Sequence, residues 1–481
     1  MLLRAQALPR ASRAQWLTSS LCCRPRQLRT VWTTTTFVSD SSRALVNHVK
    51  QHVKPSTTAT TCFALSKNIP FALHDQVYSS LANSLTSIGV VSEVLPRSTT
   101  QLIAPAFSQS DTKELYSISV ATYEPTGNAR AIAFQSTLQG RPNIALGREI
   151  KPTDPGDGSD SGLEAFLAGK QWGFGQTDTQ GRDKVELPEL EGLEPQQVKQ
   201  VLFFSADREQ PLLSALSQYP QASKLGLLGS STPFHSPTGA PYTLFFDGQA
   251  AATGAVGIAI VDSKPSPPAV VDYAGLQQLG TTQQVTSSKG NIVLTLSDKN
   301  AARMLLELVS TLPTNVLGQS HERSAEKEKE FYAAVFDHEP TAPLDLTTAR
   351  HVSPIMSGDP SRGAISIETE EEVKQGSFVA FLHRPTPASS PVSPPPSILQ
   401  PVTPYSINLI SSSPSYCPPE DAQDSAEQGH VAVVEAFVAA TENGIVLSKQ
   451  QQRQQENSND SNGGENSSWV CRIAGVAAKL G

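Results

Sequence analysis

The sequence predicts an α/β protein: two related strand-helix-strand-hairpin units followed by a C-terminal αβ unit, with long disordered insertions. Three observations carry this expectation. Short apolar runs alternate with segments whose apolar residues recur at helical spacing, as in a layered α/β domain. The order strand, helix, strand, hairpin occurs twice, over 62–134 and 201–261. Two stretches rich in Pro, Ser, Gln and Asn, 385–428 and 450–468, hold too little apolar surface to offset the entropy of ordering them.

The chain has 481 residues and a net charge of −8. Arg4, Arg10, Arg13, Arg24, Arg26 and Arg29 precede the first acid, Asp40. That is the composition of a mitochondrial transit peptide. Residues 1–37 are therefore assigned as a leader cleaved between Arg29 and Phe37, with the matrix as the address. Pro9 and the scatter of the arginines spoil the helical periodicity, so the assignment rests on charge and composition. Without those arginines the balance falls to −14, which argues against nucleic acid as a partner, since phosphates demand basic patches. The longest apolar run, 250–261, is about half a membrane span, so no span is expected. Cys22, Cys23, Cys62, Cys417 and Cys471 form no C-x-x-C pair, which suits a reducing compartment.

In the first unit, 62–66 (CFALS) reads as a buried strand. Val77, Leu81 and Leu85 then recur every four residues behind His74 and Asp75, a helix with an acid in its first turn. Residues 87–94 (SIGVVSEV) read as a strand, and 116–136 as a hairpin around Gly127, which is free to take positive φ. The second unit repeats the order: QVLFFSA, a helix with Leu212, Leu213 and Leu216, KLGLLGSS, and a hairpin around Asp247 and Gly248. Its third element matches in detail, Ile88-Gly89-Val90-Val91-Ser92 against Leu225-Gly226-Leu227-Leu228-Gly229, which indicates an internal duplication. Between the units, 151–191 reads as a solvated loop. Its calcium-loop look fails because Ala168 stands where the closing Glu belongs. Further on, Asp298 is placed as the cap of a helix with Ala302, Leu305, Leu306 and Val309 on one stripe.

Four segments resemble a FIST-domain protein: 201–234 (VLFFSADREQPLLSALSQYPQASKLGLLGSSTPF), 241–261, 290–309, and 358–384. The resemblance puts the FIST N-terminal half at 60–270 and the C-terminal half at 271–384. A disordered insertion at 385–428 separates the latter from closing strands at 429–481. The proline-rich insertions look like those of fungal members. The resemblance implies a sensory or ligand-binding module for a small molecule, such as an amino acid or organic acid. Some members carry an F-box and act as ubiquitin-ligase adaptors, so a protein partner is the second expectation. An Arg-rich leader and SSRALVNHVKQHVKPS stand where the F-box belongs, which counts against it. An enzyme is the third, and no cofactor is expected.

The candidate site is the run GLLGSSTPF. It lacks the Gly-Lys-Ser/Thr and helix of a P-loop and the G-x-S-x-G of a nucleophile elbow. It fits either a strand-terminating turn or a pocket for a small polar or anionic ligand. In the second case Gly229 lets the backbone approach the ligand. Ser230, Ser231 and Thr232 supply amides and hydroxyls, and Phe234 walls one side. Glu93, which aligns with Ser230, receives an amine. His235 lines the pocket or faces solvent, and His338 lies on the surface. No histidine is seen to pair at i, i+4 with a second ligand, so no metal site is specified.

Overall fold

The computed structural model describes residues 31–54, 56–81, 84–107, 115–136, 185, 187–206, 209–232, 241–312, 331–359, 363–369, 372–385, 396–400, 403–415, 429–448 and 468–480. Strands take 44% of the described residues and helices 19%, so the α/β expectation is corrected to a mostly β fold.

The chain begins with β1 (Val31–Ser39), α1 (Ser42–His52), β2 (Thr60–Ser66), α2 (Phe71–Leu81), β3 (Thr86–Ser92), α3 (Arg97–Ile103), β4 (Tyr116–Glu124) and β5 (Arg130–Ser136). Next come β6 (Val198–Ser205), α4 (Glu209–Leu216), β7 (Ser223–Leu228), β8 (Leu244–Phe246), β9 (Gln249–Ala251) and β10 (Ala255–Val261). Then follow β11 (Val270–Asp272), β12 (Gln277–Lys289), β13 (Ile292–Leu296), β14 (Lys299–Asn300), α5 (Ala301–Ser310), β15 (Phe331–Phe336), β16 (His351–Asp359), β17 (Ala364–Ile367) and β18 (Phe378–His383). The last strands are β19 (Ile407–Ser411), β20 (Val431–Val434), β21 (Phe437–Thr441), β22 (Ile445–Ser448), β23 (Ser468–Cys471) and β24 (Ala477–Leu480).

Three sheets contain the same four-strand order: β1-β4-β2-β3, β5-β10-β6-β7 and β11-β24-β19-β21. In each, the last two strands are parallel and the other pairings antiparallel. The account of two units plus an αβ unit is thus corrected. The order occurs three times, and the third copy is split between β11 and the closing strands. The hairpins also differ from expectation. β4 already has β1 and β2 on its two edges, so after the turn at Gly127 (φ +63) the chain leaves for another sheet as β5. The β8–β9 hairpin extends the first sheet from β3, and β22–β23 extends the second from β7. Each hairpin serves the copy before its own.

One core joins the inner faces of the three sheets. It includes Cys62, Ala64, Ile88 and Val90, then Leu202, Phe204, Leu225 and Leu227, then Ile407, Leu409, Phe437 and Ala439. Outer faces pack separately. Phe63 and Leu65 meet α1 and α2, Val201 and Phe203 meet α4, and Val438 and Ala440 meet α3. Burial on both faces explains the continuous apolar runs, which imitate parallel α/β strands. In two copies a phenylalanine lies across from a glycine in register, Phe63 with Gly89 and Phe203 with Gly226. A Cβ on either glycine would come 2.3 Å from the ring.

The expected C-terminal αβ unit is instead a closed six-stranded barrel, β12-β18-β15-β16-β17-β13, shut by the β12–β13 pairing and packed by α5. Closure removes the sheet edges. The signal was weak because β12, QQLGTTQQVTSSK, is long, polar and half-exposed. Asn300, not Asp298, caps α5, its Oδ1 accepting from Arg303 N at 2.8 Å. Strand β18 belongs to both cores: Val379 and Phe381 face the barrel, Ala380 and Leu382 the three-sheet core.

Two boundaries are also corrected. Leader residues 31–37 form most of β1, where Trp32 and Phe37 are buried and Thr36 Oγ1 donates to Ala436 O at 2.6 Å. The threonines at 33–36 are β-branched strand formers. Within the 385–428 insertion, Ile407–Ser411 is a wholly buried strand between β21 and β24. Its five residues were hidden by the prolines and serines around them. The 450–467 stretch lies outside the described residues.

Candidate functional site

The three parallel strand pairs end at equivalent positions. The registers Ser66↔Ser92 and Ser411↔Thr441 close two of them. In the other, Gly229 N continues the pairing past Ser205↔Leu228 by donating to Ser205 O at 2.7 Å. The residues that follow are Glu93, Ser230 and Glu442. Each of these strand ends hooks onto a neighbouring copy. Glu93 N donates to Ala440 O at 2.8 Å, Ser230 N to Val91 O at 2.9 Å, and Thr441 Oγ1 to Leu228 O at 2.5 Å. Ala440, Val91 and Leu228 are themselves equivalent, so the contacts form a ring. That ring brings together three side chains far apart in sequence.

Glu442 accepts from Ser230 Oγ at 2.7 Å and from Ser231 N at 2.8 Å. Glu93 pairs with Lys67 Nζ at 2.7 Å and also accepts from Ser415 Oγ and, at 2.9 Å, from Val94 N. Glu93 is 0% exposed and Lys67 6%. Burial, and then the charge of Glu442, push the Glu93 carboxyl up to about 7 against the pull of Lys67 and Ser415. Asn443 Nδ2 donates to Gly229 O at 2.7 Å. The buried hydroxyls of Ser411 and Ser412, at the end of β19, have no hydrogen-bond partner among the described residues. The junction thus holds two carboxylates, one ammonium and several hydroxyls, with one carboxyl able to change protonation near neutral pH.

Of the residues expected from sequence, Ser230 is buried and gives its hydroxyl to Glu442, while exposed Ser231 gives only its amide. Glu93 reaches Ser230 through the field of Glu442. Thr232 is buried and shares a 3.1 Å hydrogen bond with Thr243. A Cβ on Gly229 would lie 3.3 Å from Val90, so this glycine serves the crossing of strands. Phe234 and His235 lie outside the described residues. Lys67, Ser415, Glu442 and Asn443 were missed. A signal for Glu442 existed: Ala440-Thr441-Glu442 repeats the small-hydroxyl-acid pattern of Val91-Ser92-Glu93.

The histidine expectation is corrected as well. His48 and His52 are an i, i+4 pair on α1, with rings stacked at 3.9 Å. Among the described residues no group of three or more His, Cys, Asp or Glu side chains could hold a metal ion. His338 is exposed. Among the described residues no helix is long and apolar enough to cross a membrane. No protein-family model matches the chain, and no curated protein sequence matches it.

Proposed function

We propose that the chain is a small-molecule-binding or sensory protein whose site is the junction of Glu93, Ser230 and Glu442. The supporting observation is their convergence: three copies of one strand pattern each end in a polar residue, and the ends meet. Such a concentration of buried polar groups is costly unless used. The donors Ser230 Oγ and Ser231 N already hold a carboxylate, that of Glu442. A ligand carboxylate takes those donors over, and the released Glu442 together with Glu93 receives an amine. An amino acid satisfies both ends, and an organic acid satisfies the first. The FIST likeness points to the same class. We place the protein in the mitochondrial matrix, on the strength of the acid-free, arginine-rich leader.

A thermal-shift screen of amino acids and organic acids on the chain beginning at Val31 tests this. At about a hundred times its Kd a ligand adds roughly 2.7 kcal/mol of stability. The hit should weaken in Ser230→Ala and persist in Ser231→Ala, which keeps the amide. No hit, or a hit indifferent to Ser230→Ala, refutes the proposal.

A further inference from the structure

Strand β18 leaves the barrel into the interior, and the next residue, Arg384, is 6% exposed. Its Nη1 lies against two turns, at Gly275 (φ +81) and Gly475 (φ +83), where a Cβ would come within 3.0 and 2.9 Å. Both turns bare their backbone so that the guanidinium can sit between them. The opposite edge of the fork differs. Nε and Nη2 are both buried, and neither has a hydrogen-bond partner among the described residues.

Among the described residues none forms an ion pair with Arg384; the pairs there are Lys67–Glu93, Arg303–Glu307 and Arg350–Asp337. Cys471 is close enough to feel the guanidinium, yet burial pushes its thiol up to about 12, so it stays neutral. Tyr273, beside Cys471, is held neutral by burial in the same way. A buried guanidinium with no counter-charge is unfavourable, and a bound anion would relieve that cost.

We propose that the Nε/Nη2 edge of Arg384 anchors a small carboxylate ligand between the barrel and the third sheet. These two N–H groups point side by side in one plane, the arrangement that grips the two oxygens of a planar carboxylate. One positive charge balances one monoanion. This site is separate from the Glu93–Ser230–Glu442 junction and stands without it.

The test uses the chain from Val31 and acetate or succinate as probe, at constant ionic strength against chloride. The wild-type Tm should rise with acetate concentration. In Arg384→Met, which keeps the bulk without the charge, the Tm should be independent of acetate. Arg384→Lys, with a point charge and no fork, should weaken the apparent affinity by about tenfold. Should the Met variant fail to fold, the wild type alone decides. One arginine Nε–H resonance should shift saturably with acetate and be absent from the spectrum of Arg384→Lys. Ser230→Ala, which removes a carboxylate donor of the junction, should keep the acetate response, which separates this site from the junction. A wild-type Tm and spectrum indifferent to acetate and succinate, an acetate response retained in Arg384→Met, or stabilisation by inorganic phosphate alone would each overturn the assignment.

Discussion

Gly226→Ala should cost the second sheet its stability through one ring. The new Cβ would stand 2.3 Å from Phe203 Cζ, 2.5 Å from Cε2 and 2.8 Å from Cε1. Ordinary carbon contacts begin near 3.5 Å, so the ring must retreat by about 1 Å. It has little room to do so: Phe203 is fully buried against Leu212, Leu216 and Tyr219. Overpacking of this kind costs about 1–3 kcal/mol, a fall in Tm of roughly 1–5 °C for a chain of this size. Denaturant unfolding measured on Gly226→Ala, Phe203→Leu and the double variant isolates the contact. Leucine lacks the ring atoms that collide, so the double variant should be more stable than the sum of the singles by about 1–2 kcal/mol. Gly89→Ala with Phe63→Leu should behave alike, because the first copy has the same pair. Additivity within about 0.5 kcal/mol would refute the reasoning.

Three further outcomes follow from the same structure. Glu93 holds its proton to higher pH in the folded chain than its ordinary 4.5 allows. Its favourable contribution is therefore complete below pH 4.5 and lost as pH rises through about 7. The stability of the wild type relative to Glu93→Gln should fall by about 3 kcal/mol between pH 4 and 8, and a flat difference would contradict the assignment. Deleting residues 1–30 should leave a folded protein, whereas deleting 1–37 removes Trp32 and Phe37 from the core and should abolish cooperative unfolding by circular dichroism. Cys62 and Cys471 are buried, with thiols pushed up by desolvation. Both should resist a thiol reagent until the chain unfolds, and rapid native labelling of either would show that its site is open.

Strands legible in the sequence were those buried on both faces. CFALS, VLFFS and KLGLL are continuous apolar runs, and burial by the shared core on one side and helices on the other requires such runs. Polar strands were not legible. β1 looked like leader because it is rich in polar threonines, one of which, Thr36, bonds Ala436 O and Val438 N, β12 looked like linker, and β19 is five residues among prolines. Hairpin signals gave turns at Gly127 and Gly248 but not which sheet each arm would join, since that depends on which edges are already taken. At the site, aligned glycines led to Glu93 and Ser230. Glu442 completes the arrangement from a third copy whose sequence shares only small residues and one acid with the others. Ser415 was concealed by composition.

The central claim is that one residue from each of the three copies meets at a single ligand site. Calorimetric titration of an amino-acid hit from the screen into the wild type, Glu93→Gln, Ser230→Ala and Glu442→Gln tests it most directly. Loss of about tenfold or more in affinity in every variant, about 1.4 kcal/mol each, is the predicted result. An affinity unchanged in any one of the three would contradict it.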